Sequence, residues 1–318
     1  MTLISICIPT FNHACFLKRM LERLVSLPSV CGGEVEIVIS DNASTDDTQV
    51  VGERFSRNYP NLVRYFRNAE NVRDANFGLA LSRGTGAFLK LANDTLLFSE
   101  AGMLEMLASV RRHQDARPVL FFSNQSSGSI MEISCSSFDE LFDEITFHST
   151  WIGSFGIWKR DYDTLSEFAR ASDLQLTQVD VLCRMMAEKG QAVVNRTSFA
   201  ESMPRSRIGG YNLARIFGHN YFSILSEYVA VGKFSPAAFR REKFRMLRYH
   251  ILPFYLTFSS SNGFPKSGYF LWLIRDMWSI PFFWFTLPFV LPVELLAAVF
   301  CLEGKSRSTV PPHPVFQA

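Results

Sequence analysis

The run Val35-Glu36-Ile37-Val38-Ile39-Ser40 ends in Asp41-Asn42-Ala43-Ser44-Thr45-Asp46-Asp47-Thr48, and this junction restricts the fold more than any other part of the chain. A near-continuous β-branched run reads as a strand buried on both faces, and such strands belong to parallel sheets covered by helices. The small polar residues after it are turn and N-cap types, with Ser44 and Asp47 offering a capping box for the next helix. Open α/β sheets hold ligands at the C-terminal ends of their strands, so Asp41 sits where a ligand would.

The same alternation extends from residue 3 to about 123. Leu3–Ile8, Leu62–Phe66, Ala87–Leu91 and Val119–Phe122 read as strands, and Leu17, Met20, Leu21, Leu24 and Val25 mark one face of a helix. Ala75–Ser82 reads as a further helix, and the pattern as βαβ units with a largely parallel sheet. Helical spacing returns at Leu182, Met185 and Met186, and Ala192-Val193-Val194 closes with a strand. Beyond residue 200 the composition changes. Arg240, Arg241, Lys243, Arg245 and Arg248 alternate with Phe244, Met246 and Leu247, a basic helix suited to an anionic membrane surface. Ile280 to Leu302 holds Glu294 as its one charged residue and is long enough to cross a hydrocarbon core, but Pro281, Pro288 and Pro292 favour a kinked interfacial or re-entrant segment equally. We divide the chain into a catalytic domain, 1–200, and a C-terminal helical region, 201–318, with the apolar membrane-associating segment at about 269–302.

A net charge of +2 argues against a nucleic-acid partner, while 47% hydrophobic residues and 30 Phe are high for a soluble enzyme. The six cysteines form no CxxC pair, which fits reduced thiols and not a zinc site. The first strand begins without a basic leader, so a location inside the cell is expected.

Four stretches in fixed order resemble the family 2 glycosyltransferases of the GT-A fold, in particular bacterial O-antigen and capsule sugar transferases such as abequosyltransferase-like enzymes. They are Ile6–Asn12, Ile39–Asp46, Asn71–Asn76, and Gly84-Thr85-Gly86 leading to Asn93-Asp94-Thr95. Gly209-Gly210-Tyr211-Asn212 and the basic helix also look like the O-antigen subgroup. The resemblance implies a GT-A α/β domain that moves a sugar from a nucleotide-sugar donor to a lipid-linked, polyprenyl diphosphate oligosaccharide, with inversion, on the cytoplasmic face of the inner membrane. Pro9, Thr10, Phe11, Asp41, Arg73 and Asn93 would contact the donor nucleotide, Asp41 as an exposed acceptor for the base. Asp94 would hold a divalent cation, Mg²⁺ or Mn²⁺, against the diphosphate. The chain departs from the family's Asp-x-Asp run here, leaving one carboxylate between Asn93 and Thr95.

An inverting transfer needs a base for the acceptor hydroxyl. The family places an aspartate before a downstream arginine at a helix start. In Gln175–Arg184 that spacing falls on Gln178, which cannot serve, so Asp180 is the candidate and Asp173 the reserve. Blander readings stand beside these: Asp41 as a turn residue, Asp94 as a cap for the helix at 100–110, Arg73 and Asp180 as surface charges, Asp46 and Asp47 as charges at a helix N-terminus. Gly84 and Gly86 read as structural, and Trp151 as a buried aromatic or an acceptor-stacking one. A noncatalytic membrane-associated protein that binds nucleotide sugars, or a soluble transferase whose apolar helices pack together, are the rival functions.

Overall fold

The computed structural model describes residues 2–125, 131–204, 211–253 and 269–285. Strands β1 (Ile4–Thr10), β2 (Val35–Asp41), β3 (Val63–Arg67) and β4 (Phe88–Leu91) pair in parallel in the order β3-β2-β1-β4. The helices between them are α1 (Ala14–Val25), α2 (Thr48–Asn58) and α3 (Ala75–Ser82). β5 (Leu96–Phe98), α4 (Glu100–His113), β6 (Val119–Phe122), β7 (Glu132–Cys135) and α5 (Phe138–Ile145) follow. β8 (Gly156–Trp158) then adds antiparallel to β4 at the sheet's edge. After α6 (Thr177–Lys189) come β9 (Ala192–Asn195), which pairs between β6 and β7, and β10 (Ala200–Ser202), which pairs with β5.

Every residue of β2 is buried, as a strand covered on both faces requires. Its one interior carboxylate, Glu36, accepts from Ser5 Oγ (2.6 Å) and Thr85 Oγ1 (2.9 Å) and pairs with Arg64 (3.2 Å), so the charge is fully partnered. The turn at Gly84–Gly86 runs against β1 so closely that a Cβ at Gly86 would lie 2.8 Å from the Ser5 amide nitrogen. That makes both glycines structural, as expected. α1 buries Leu17, Met20, Leu21 and Leu24 on its apolar stripe. The expected capping box of α2 does not form: Ser44 Oγ accepts from the Asn12 amide, and Asp46 takes the Thr48 amide and hydroxyl. Asp46 also accepts from the Ala14 amide, so one carboxylate ties the starts of α1 and α2 together.

The C-terminal helices α7 (Tyr221–Ala230), α8 (Pro236–Arg245) and α9 (Tyr269–Met277) pack on the flank of the half that carries the sheet. One continuous core joins Val38 and Leu89 of the sheet to Leu176, Val181, Tyr221, Leu225, Met246, Met277 and Phe283. α7 lies on α6, and α8 on α5. Among the described residues no helix is long and apolar enough to cross a membrane, and most of the segment expected at 269–302 lies outside them.

Glu242 of α8 is the polar pin of that junction. It is 1% exposed and accepts from Thr146 Oγ1 (2.7 Å) and Tyr221 Oη (2.8 Å). Burial raises its pKa from the usual 4.5 to about 7. Between those values the folded chain keeps a proton that the unfolded chain has lost, so stability falls as pH rises through this window, and above it the whole cost of the buried charge is in place. Urea denaturation at several pH values should show that decline, and Glu242→Gln should flatten it. An unchanged pH dependence in the variant would show that the charge is relieved elsewhere.

Candidate active site

β1 is paired with β2 on one edge and β4 on the other, both in parallel. The strand order therefore reverses at β1, and a crevice opens beyond its C-terminal end. Thr10, the last residue of β1, donates its hydroxyl to Asp94 Oδ2 at 2.7 Å. His13 Nδ1 lies 3.0 Å from both Asp94 oxygens. A carboxylate only accepts, so the geometry assigns a proton to that ring nitrogen. Asp94 is 5% exposed. Pro9 and Phe11 are half-buried on either side of Thr10, and Asn93 is buried. His13 was not read from the sequence, because its partner lies 81 residues away.

Asp41 is not the exposed acceptor that was expected. It is 0% exposed: Oδ1 accepts from the Ser44 amide (2.9 Å), and Oδ2 from Tyr65 Oη (2.6 Å) and Arg67 Nη1 (3.1 Å). Those bonds occupy most of its lone-pair directions. Burial, and then the neighbouring carboxylate, push the Tyr65 phenol pKa up, so it stays protonated and donating. Asp41 thus fixes a phenol and a guanidinium at the ends of β2 and β3.

Asn42, next in sequence, anchors the loop that follows β3. Its Oδ1 accepts from Asn68 Nδ2 (3.1 Å) and the Val72 amide (2.9 Å), and its Nδ2 donates to Asn71 Oδ1 (2.8 Å) and the Arg73 carbonyl (3.3 Å). Asn76 continues the network through Asn68 and Ser40. Asn12, Ala43 and Arg73 all hold positive φ, 53°, 61° and 52°, at the turns around this edge. Left-handed backbone at non-glycine residues persists where surroundings overdetermine it, and it gathers at functional sites. The result presents Arg73 to solvent and turns Asp74 inward at the start of α3.

Asp180, expected as the base, is buried in an ion-pair cluster. It is 1% exposed, with Oδ1 accepting from Arg170 Nε (2.8 Å) and Arg184 Nε 3.0 Å from Oδ2; Arg170 continues to Glu227 (2.9 Å). Gln178 lines a small, partly open cavity of about 40 Å³ together with Asp74, Phe77, Thr150, Tyr211 and Phe217. Residues two apart on a helix point about 200° from each other, so turning Gln178 to the cavity turns Asp180 to the arginines. Asp180 is a tie between helices. The reserve, Asp173, is exposed on a short helical turn. Trp151 is half-buried, stacks on Phe199 at 6.0 Å and covers Gly153.

Residues 5–128 match the family model described as glycosyl transferase family 2. Residues 5–128 belong to that family. An 87-residue stretch is 37% identical to abequosyltransferase RfbV of Salmonella typhimurium, covering 27% of this chain and 26% of that protein, so the match spans about a quarter of the relative. The UDP-GlcNAc complex of S. aureus TarS 1–349 aligns with a TM-score of 0.55 at 12% identity, over 95% of this chain and 92% of that one. The UDP complex of the same protein gives 0.53 at 13%, over 82% and 76%. At such identities the likeness is one of fold, and the fold is GT-A. The family 2 domain carries Thr10, His13, Asp41, Arg73, Asp74 and Asp94, whereas Asp180 lies beyond it.

Asn42→Ala should release the loop that sets Arg73. Leaving its buried partners unsatisfied costs on the order of 2–3 kcal/mol, read as a lowered urea midpoint, and affinity for nucleoside diphosphates should fall at least tenfold. Wild-type affinity in a destabilised variant would show that the loop position does not matter to binding.

Proposed function

We propose that this chain is a glycosyltransferase that moves a sugar from a nucleoside diphosphate donor to a hydroxyl of a lipid-linked oligosaccharide, with inversion, in bacterial surface polysaccharide synthesis. The observation that carries this reading is the convergence of Thr10, His13 and Asp94 at the switch point of a family 2 domain, beside a loop that presents Arg73. The relatives support it: one is an abequosyltransferase, and the TarS structures hold UDP and UDP-GlcNAc.

In this reading Pro9, Thr10, Phe11, Asn93 and Arg73 line the donor, and Asp41 acts with Tyr65 and Arg67, which it fixes for the base. Transfer needs the departing diphosphate neutralised. Among the described residues no group of three His, Cys, Asp or Glu could hold a metal ion by itself. One carboxylate is still sufficient for Mg²⁺ or Mn²⁺ when the diphosphate supplies further oxygens, because Mg²⁺ keeps several waters and takes one or two protein carboxylates. Asp94 would hold the cation, and the cation would supply charge to the leaving group. Arg73 can meet a diphosphate bidentately from its exposed position.

Residues 1–200 would form the catalytic part, and 201–318 would keep it at the cytoplasmic membrane face. Arg240, Arg241, Phe244, Tyr249, Pro281 and Phe282 line one open depression. Leu271, Trp278, Trp284 and Phe285 are exposed nearby in sequence, at 70%, 61%, 49% and 75%. Cations beside exposed tryptophans suit the headgroup layer.

Two measurements test the proposal. With Mg²⁺ or Mn²⁺, a panel of nucleotide sugars should yield transfer to a lipid-linked acceptor, and Asp94→Asn should reduce it by 100-fold or more, roughly the loss of one main electrostatic stabiliser. Nucleotide binding without transfer or donor hydrolysis would favour the noncatalytic reading. Binding to vesicles containing phosphatidylglycerol should weaken with salt and with Arg240→Glu/Arg248→Glu; full-length protein that ignores such vesicles would remove the membrane assignment.

A further inference from the structure

The cavity between α3, α6 and the segments at 150–152 and 211–217 contains two acceptors that lack donors. Asp74 is 7% exposed, and no described residue donates a hydrogen bond to its carboxylate. Gln178 is 3% exposed; its Nε2 donates to the Thr150 carbonyl at 2.7 Å, which fixes the amide's orientation, and its Oε1 has no hydrogen-bond partner. Buried acceptors are nearly always satisfied in a folded protein, so the unpartnered Gln178 Oε1, on the same cavity as a carboxylate that receives no hydrogen bond, points to a ligand that brings donors. The remaining wall is apolar, with Phe77, Ile152, Leu176 and Phe217. Hydroxyls on a ring with an apolar C–H face meet both demands, which is the chemistry of a sugar.

This deepens the proposed transferase function and rests on it. We propose that Asp74 is the general base, accepting the proton of the acceptor sugar's hydroxyl, with Gln178 accepting a second hydroxyl to orient that sugar. As the proton moves to Asp74, the acceptor oxygen bonds to the anomeric carbon of the donor. The bond from that carbon to the diphosphate oxygen breaks, and the nucleoside diphosphate leaves with the electron pair. Asp74 later returns its proton to solvent. The assignment explains why Gln178 can stand at the helix position where a base was sought: the carboxylate is on the opposite element of the same cavity. Ser40, Asn42, Asn68 and Asn76 hold the loop and helix start that carry it.

Burial, only partly offset by Arg73, raises the Asp74 pKa from 3.8 to about 6. A base in that range is ionised at neutral pH and still holds a proton well. Arg73 is the charged group beside it; Gln175, Gln178, Thr150 and Tyr211 face the cavity from the other elements, and of these only the phenol ionises.

The test uses the full-length protein with nucleotide sugar and lipid-linked acceptor. Asp74→Asn should lower kcat by about 10²–10⁴-fold, the usual contribution of a positioned base, with donor Kd unchanged. The wild-type rate should rise as pH passes about 6, and the variant's residual rate should lack that step. Because the carboxylate has no partner to lose, the variant's melting temperature should not fall, which separates this role from a structural one. Gln178→Ala should raise the acceptor KM more than it lowers kcat. If wild-type protein transfers sugar and Asp74→Asn matches it, or keeps the acid limb of the pH profile, this assignment falls alone. If wild-type protein transfers nothing, the transferase reading falls and takes the assignment with it.

Discussion

Parallel pairing on both edges of β1 is the constraint on which the rest of the molecule depends. A strand with parallel neighbours on each side forces both to enter from the same end, so every connection must cross back over a face of the sheet. The chain meets that demand with α1 and α2 on the way to β2 and β3, and α3 on the way to β4. The strand ends that carry Thr10, Asp41 and Asp94 are then gathered at one edge, although 84 residues separate the first from the last.

That edge carries unpaired backbone and close-set polar groups, and asparagine side chains satisfy them. Asn42, Asn68, Asn71 and Asn76 exchange amide hydrogen bonds with one another and with the backbone at Ser40, Val72 and Arg73. An amide both donates and accepts, so it can link loop to loop without adding charge beside the carboxylates. Lys90, in the middle of β4, does comparable work for the opposite wall: its Nζ is bonded to the carbonyls of Leu91 and Gly153 and lies 5.0 Å from the Phe199 ring. It fixes the segment that bears Thr150 and Ile152, and burial pulls its pKa down to about 7.

The strands, helices and their order were legible because each depends on local periodicity. The structural role of Gly84 and Gly86 was legible for the same reason. What a residue faces was not. Asp41 reads as exposed from a turn-forming sequence, yet Tyr65 and Arg67 of the neighbouring strand β3 close over it. Asp180 and Gln178 differ only by helical phase, and that phase is decided by which apolar residues of α6 the core accepts. His13 depends on a carboxylate 81 residues away in sequence, brought beside it by the pairing of β1 with β4. Asp74 stands in the Asn71–Asn76 stretch beside Arg73, but nothing local says that its carboxylate enters a cavity whose far wall is built from residues 211–217.

That far wall belongs to the same core as the sheet. Because Tyr211 and Phe217 line the cavity while Tyr221, Met246 and Met277 complete the packing beneath it, the helical half is no detachable module. If the cavity takes the acceptor sugar as proposed, a lineage changing that sugar must edit residues next to those that keep the protein folded, so new preferences would be acquired by small steps at the cavity rim and not by exchange of a whole C-terminal segment.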